Sequence, residues 1–333
     1  MILNISASDF NVSLLVSDKS YDFFYKEFSH IFDINISSEL IRINSIQKSW
    51  LIVVESEWIQ HNTLNNDFEN IYEKVRINEP IKKFMVNLKK KIVVIAEPSD
   101  DNWRHHIVIR VVRDMYRIYL IQNGGVPLHG GMIEKDGIGI AVLGRKKTGK
   151  TTTLLSMMDN STSFIANDDL IISYYDDIKG HGSTRTISIR KDTLKYISCI
   201  PVEYTASNPL NETKLNENYL FLKPIELFSD NIKFEANICL FIFPTFNSTI
   251  EGRKISMLNN QQLLLELNDN IEDTRYSYFP NVLKRMFPYV NLSDKYSCIL
   301  RRIVNSNKVK GIKVEQNIES MINFEILLSE EII

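Results

Sequence analysis

Gly144-Arg145-Lys146-Lys147-Thr148-Gly149-Lys150-Thr151 reads G-x-x-x-x-G-K-[ST], the pattern of a phosphate-binding P-loop. The chemistry follows from the residue types. Glycines let successive backbone N–H groups turn inward on a polyphosphate, a lysine reaches the β- and γ-phosphates, and a threonine hydroxyl ligates Mg²⁺. Here those roles fall to Gly144 and Gly149, to Lys150 and to Thr151, with Thr152 beside them. Glycine is scarce, 12 of 333 residues, so two at the required spacing are not an accident of composition. The flanks agree: Ile138 to Leu143 is a short apolar strand running in, and Thr151 to Met158 has helical character running out. A helix N-terminus at that point adds partial positive charge where phosphate would sit. The expected ligand is a nucleoside triphosphate, with Mg²⁺.

Upstream of the loop, Val126 to Glu134 and Ile138 to Leu143 are strand-like and joined by Lys135-Asp136-Gly137. Asp-Gly between two such runs signals a hairpin, so the P-loop follows an antiparallel pair. Before that, Ile107, Val111, Val112, Met115, Ile118 and Tyr119 recur at helical spacing between Trp103 and Gln122, and Asn123-Gly124-Gly125 ends the helix. Trp50 to Glu55 and Lys91 to Ala96 read as strands rich in β-branched residues. Asn62 to Glu73, polar and Asn-rich, reads as a loop or weak helix, and Glu97 to Asn102 as a turn cluster and domain boundary. Downstream, Phe164 to Ala166, Leu170 to Ser173, Ser183 to Arg190 and Ala236 to Phe243 read as strands. Asn260 to Leu267 and Asn281 to Phe287 read as helices.

Bulk properties narrow the function classes. Hydrophobic residues make up 44% and charged residues 24%, as in an ordinary soluble globular protein, and 333 residues suit one large domain with a smaller one. A net charge of −2, from 39 basic and 41 acidic residues, argues against a general nucleic-acid binder. Cys199, Cys239 and Cys298 lie far apart without C-x-x-C spacing, which predicts buried reduced thiols. The N-terminus lacks the basic and apolar regions of a signal peptide, and no apolar run approaches a membrane span. A cytoplasmic enzyme is the expectation.

Phosphoryl transfer also needs a metal ligand, a group to orient or deprotonate the acceptor, and donors for the transferred charge. Asp168 and Asp169 end an apolar strand 18 and 19 residues after Lys150. One carboxylate of such a pair serves the metal while the other accepts a hydroxyl proton, and mutual repulsion pushes their pKa values apart. His129 precedes Gly130-Gly131 on the strand leading to the P-loop, where a neutral imidazole would orient an aspartate. His105 and His106 sit on the upstream helix, where packing explains them. Further basic residues within conceivable reach are Arg190 and Lys191 after a strand, Arg253 and Lys254 in an expected loop, and Arg110 and Arg113 on the upstream helix.

Taken together, Leu128-His129-Gly130-Gly131, Gly139 to Gly144, Gly149-Lys150-Thr151-Thr152 and Asn167-Asp168-Asp169 resemble the catalytic domain of HPr kinase/phosphorylase. They are more distantly similar to ATP-dependent phosphoenolpyruvate carboxykinase. The likeness covers roughly residues 126 to 173, and it implies phosphorylation of a serine hydroxyl. By position, Asp168 or Asp169 would be the base, His129 its neighbour, and Lys150 with Thr151 the ATP and Mg²⁺ site; both aspartates and Thr151 are candidate metal ligands. HPr kinases carry a loop closer to G-D-S-G-x-G-K-S, whereas Arg145-Lys146-Lys147 is basic, and neither their later glycine-rich signature nor their N-terminal domain has a match here. Trp103 to His129 and Phe164 to Asp169 look more like the HPr-kinase-like proteins of bacterial peptide gene clusters, some of which phosphorylate a serine of a ribosomally made peptide.

The resulting expectation is an α/β protein with a P-loop kinase core of the HPr-kinase/carboxykinase type, a mixed sheet with a hairpin before the loop. A small α+β domain would span residues 1–100 and the catalytic domain residues 101–333. The activity expected is transfer of the ATP γ-phosphate to a Ser or Thr hydroxyl of a peptide or small protein, with no nucleic-acid or membrane partner. The resemblance adds a homo-oligomer. The rivals are a small-molecule kinase acting on free serine or a sugar, and a regulatory module that binds ATP without catalysis.

Overall fold

The computed structural model describes residues 1–37, 49–54, 67–73, 79–183, 185–200, 218–272, 279–287 and 293–333. The chain groups into two compact units, Met1–Tyr119 with Thr274–Val290, and Leu120–Asp273 with Asn291–Ile333. Both are mixed α/β structures built on mixed sheets.

The first unit is a seven-stranded sheet in the order β3-β1-β2-β4-β7-β6-β5. Its strands are β1 (Ile2–Ala7), β2 (Phe10–Leu15), β3 (Asp33–Ser37), β4 (Trp50–Val53), β5 (Glu69–Tyr72), β6 (Lys83–Asn87) and β7 (Ile92–Glu97). The pairs β2–β4 and β4–β7 are parallel and the others antiparallel. Helices α1 (Asp18–Phe28) and α2 (Asp101–Gln122) complete its main elements. In the sheet centre Leu51, Val53, Ile92 and Val94 form a buried apolar cluster, as expected for parallel strands covered on both faces. Of the stretch read as loop or weak helix, residues 62–66 lie outside the described residues and Glu69–Tyr72 is a strand. It is an edge strand, mostly exposed, so it needs no apolar alternation and shows none.

In the second unit β8 (Val126–Leu128), β9 (Gly130–Lys135), β10 (Ile138–Leu143), β11 (Ser163–Ala166), β12 (Leu170–Tyr174), β13 (Ile178–His181) and β16 (Glu235–Phe246) form a sheet in the order β11-β9-β10-β16-β13-β12-β8. A two-stranded sheet of β14 (Ile187–Arg190) and β15 (Tyr219–Leu222) lies apart from that path, and β17 (Arg253–Met257) joins through β18 (Lys310–Gln316). Asp136 (φ 53°) and Gly137 (φ 82°) close the β9–β10 hairpin, the left-handed pair that a two-residue turn requires. β10 is antiparallel to β9 and parallel to β16, and β16 is parallel to β18. Helix α3 (Lys150–Ser156) packs Leu154 and Leu155 into a core with Ile133, Ile140, Val142, Phe164 and Ile242. That core fixes the segment between β10 and α3 at both ends.

Four expectations from the sequence change. Val126 to Glu134 is two strands, broken at His129, because the His129 N–H leaves the ladder and donates to the Asn270 carbonyl at 2.9 Å. His129 therefore lies between strands and not on one. Arg253 and Lys254 belong to β17, paired with Gln316 and Glu315; that strand is largely exposed and carries little apolar alternation. The alternating stretch Ser183 to Arg190 forms a strand only from Ile187. The cysteines are not all buried: Cys298 is exposed, and Cys199 and Cys239 are half-buried. Burial pushes the Cys199 thiol up to about 12.

Candidate functional site

The loop from Gly144 to Lys150 leaves β10 through unusual backbone angles: Gly144 (φ 154°), Lys147 (φ 70°) and Gly149 (φ 93°). Alternation between left- and right-handed residues turns successive N–H groups to one side and creates a concavity for anions. Position 149 admits only glycine for two reasons. Its φ is strained for any L side chain, and a Cβ would overlap the ring of Phe246, at the end of the neighbouring β16. The tip residues Arg145, Lys146 and Lys147 are exposed, and Arg145 pairs with Asp269 at 3.2 Å.

Lys150 is the buried cation of the site, 7% exposed. Its ammonium donates to the Arg145 carbonyl at 3.1 Å, and Thr148 Oγ1 donates to the same oxygen at 2.9 Å. Burial holds the Lys150 pKa below its usual value, and Asp168 opposes that shift. Thr151 and Thr152 are half-buried in the first turn of α3, and Thr151 Oγ1 donates to Asn167 Oδ1 at 3.3 Å.

Asp168 and Asp169 follow β11 and face different surroundings. Asp168 sits in the left-handed region (φ 63°) and is half-buried, and its carbonyl accepts from Arg185 Nη1 at 3.1 Å. Asp169 is 1% exposed, and its Oδ2 accepts from the Ser183 hydroxyl. A strained non-glycine backbone at a strand end is a costly arrangement that persists where the surroundings over-determine it. His129 belongs to the same electrostatic neighbourhood. Burial lowers its pKa, Lys150 adds to that, and Asp168 and Glu272 pull the other way while Arg185 opposes them. The fold thus gathers His129, Lys150 and Asp168, with Thr151 and Asn167 alongside, and turns the Asp169 side chain inward.

Arg253, by contrast, reaches the Ser320 carbonyl at 3.3 Å. Arg190 and Lys191 are exposed. Arg110 and Arg113 flank Asp114 in the first unit, and there His105 stacks on Phe23. Sequence reasoning missed Arg185, Ser183 and Phe246 as neighbours of the site. The first two were read only as the start of an alternating strand. Phe246 had no signal, because it meets Gly149 across about a hundred residues of chain.

Among the described residues no three His, Cys, Asp or Glu side chains converge as a metal site. Mg²⁺ bound with a nucleotide takes most of its ligands from phosphates and water, and the half-buried Thr151 hydroxyl suits that mode. Among the described residues no helix is long and apolar enough to cross a membrane.

No family model matches the chain, and no curated protein does. Among solved structures, the Hpr(Ser) kinase/phosphatase from Coxiella burnetii is similar over 54% of this chain and 97% of that chain, at 12% identity and a TM-score of 0.26.

Proposed function

We propose that the chain is an ATP-dependent kinase of the HPr-kinase/carboxykinase type that phosphorylates a Ser or Thr hydroxyl on a peptide or small protein. The observation that carries this reading is the conjunction of a strained, glycine-dependent loop with a buried Lys150 whose ammonium donates to a backbone carbonyl and to no carboxylate among the described residues. A buried cation without a paired anion is costly, and a polyphosphate supplies the missing charge. The loop N–H groups and Lys150 would hold the β- and γ-phosphates, and the Thr151 hydroxyl would hold the Mg²⁺. When bound, the ion screens the negative charge of the phosphates against the incoming oxygen.

Asp168 is the better placed of the two carboxylates to accept the proton of the attacking hydroxyl. It is half-open and lies in the field of Lys150 and His129, whereas the carboxylate of Asp169 is enclosed and engaged by Ser183. The acceptor oxygen bonds to the γ-phosphorus as the bridging bond to the β-phosphate breaks, the hydroxyl proton passes to Asp168, and ADP leaves. His129, kept neutral by burial and by Lys150, orients Asp168 without adding another cation. Most of the rate would come from positioning and charge stabilisation.

The test is mass spectrometry of Mg-ATP reactions with Ser-bearing peptides, a small carrier protein and free serine, with wild type beside Asp168→Asn and Asp169→Asn. The expected result is one phosphate on a peptide or protein acceptor, falling by about 10²–10⁴-fold in Asp168→Asn. Phosphate on free serine alone would move the reading to a small-molecule kinase. Full transfer in both variants would remove the aspartates from the site.

A further inference from the structure

Asn167 has a side chain that the proposed chemistry leaves unused. It follows β11, is 2% exposed, and is pinned between two elements of the second unit. On one side Thr151 Oγ1 donates to its Oδ1 at 3.3 Å. On the other, β9 comes so near that a Cβ on Gly131 would stand 3.4 Å from the Asn167 Cα. Its Nδ2 is fully buried and has no hydrogen-bond partner among the described residues. Buried amides are almost always paired, and an orphan donor costs the full desolvation of the group. A leucine of similar size would avoid that cost, so an asparagine there needs a partner from outside the chain.

The location says which chemistry that partner has. The carboxamide holds Nδ2 next to Oδ1, so the free donor lies beside the Thr151 hydroxyl, one residue from Lys150. In a P-loop the lysine at that place reaches the β- and γ-phosphates, and the threonine hydroxyl holds the Mg²⁺ beside them. Resting on the nucleotide reading above, we infer that Asn167 contacts the ligand: its Nδ2 donates a hydrogen bond to a phosphate oxygen of the bound nucleotide. Its Oδ1 meanwhile accepts the Thr151 hydrogen bond, which leaves the lone pairs of that hydroxyl free for the ligand. One neutral side chain then does two jobs, and it pairs an anionic oxygen without bringing a further cation near Lys150.

The experiment is equilibrium titration of the full chain with MANT-ATP, once with Mg²⁺ and once with EDTA, beside thermal unfolding without nucleotide. The variants are Asn167→Leu, which removes both polar atoms at similar size, and Asn167→Asp, which keeps the acceptor and replaces the donor. Both are expected to weaken MANT-ATP binding by about 10- to 100-fold in each buffer. Asn167→Leu is expected to keep or raise the nucleotide-free midpoint, because it deletes an unpaired buried donor. Binding within about threefold of wild type in both variants overturns the inference. So does a midpoint that falls in both variants in step with the lost binding. Lys150→Ala separates the two levels. If it abolishes binding while the Asn167 variants do not, only the Asn167 contact fails; if it too binds as wild type, the nucleotide reading fails.

Discussion

Each unit buries charge, and they do so in opposite ways. In the first, the enclosed Asp114 lies between Arg113 at 3.3 Å and Arg110 at 3.7 Å, so its charge is answered within the chain. In the second, Lys150 is similarly buried but its ammonium meets a carbonyl, and the nearby Asp168 only partly offsets the burial. The backbone repeats the contrast. Left-handed residues of the first unit, Ser8 and Lys91, lie in the turns joining β1 to β2 and β6 to β7, whereas in the second Lys147 and Gly149 lie in the loop before α3 and Asp168 follows β11, all around Lys150. Charge and strain resolved locally belong to the scaffold; charge and strain left open at one place point to a ligand.

The sharpest break of that contrast is Lys150→Ala. It should reduce phosphate transfer by about 10³-fold, measured by single-turnover assay, while the urea midpoint holds or rises. Asp114→Ala should do the reverse. Leaving its arginines without their anion should cost about 3–5 kcal/mol in urea unfolding, with nucleotide affinity of the folded protein unchanged. Loss of stability in Lys150→Ala and none in Asp114→Ala would invert the assignment.

The histidines sharpen the comparison through pH. Burial, with Arg113, Arg110 and Lys82, holds the His106 imidazole down at about 4. The unfolded chain takes up that proton near pH 6.5 and the folded chain only near 4, so stability present above pH 6.5 is lost as pH falls toward 4. The loss should approach about 3 kcal/mol and shrink in His106→Asn, as followed by urea midpoints from about pH 7 to 4. His129 is depressed as well, so its contribution is lost in the same direction below pH 6.5. The smallest effect is expected at Arg145→Ala. Its pair with Asp269 is exposed on both sides, and thermal unfolding should register less than about 1 kcal/mol.

The elements that were legible in the sequence are those specified by neighbours in the chain. The Asp136-Gly137 turn, the helical spacing from Ile107 to Tyr119 and the glycine-spaced loop each draw on a few consecutive residues. Strands at exposed edges were hidden, because β5 and β17 have too little buried surface to impose a pattern. The candidate site was legible as a set of residue types and opaque as an arrangement. Asp168 and Asp169 are adjacent and chemically identical in the sequence, and only Ser183, Arg185 and the left-handed turn at 168 make one open and the other enclosed.

Short-range sterics and glycine spacing were enough to say that a glycine-spaced loop joins a hairpin to a helix, and both are written in consecutive residues. Three-dimensional packing was needed to show that His129 leaves its strand for the Asn270 carbonyl, that Phe246 closes over Gly149, and that Asn167 is buried with a donor to spare. Those facts depend on residues far apart in the chain being pressed together by the shared core, and such contacts leave no local signature in either composition or periodicity.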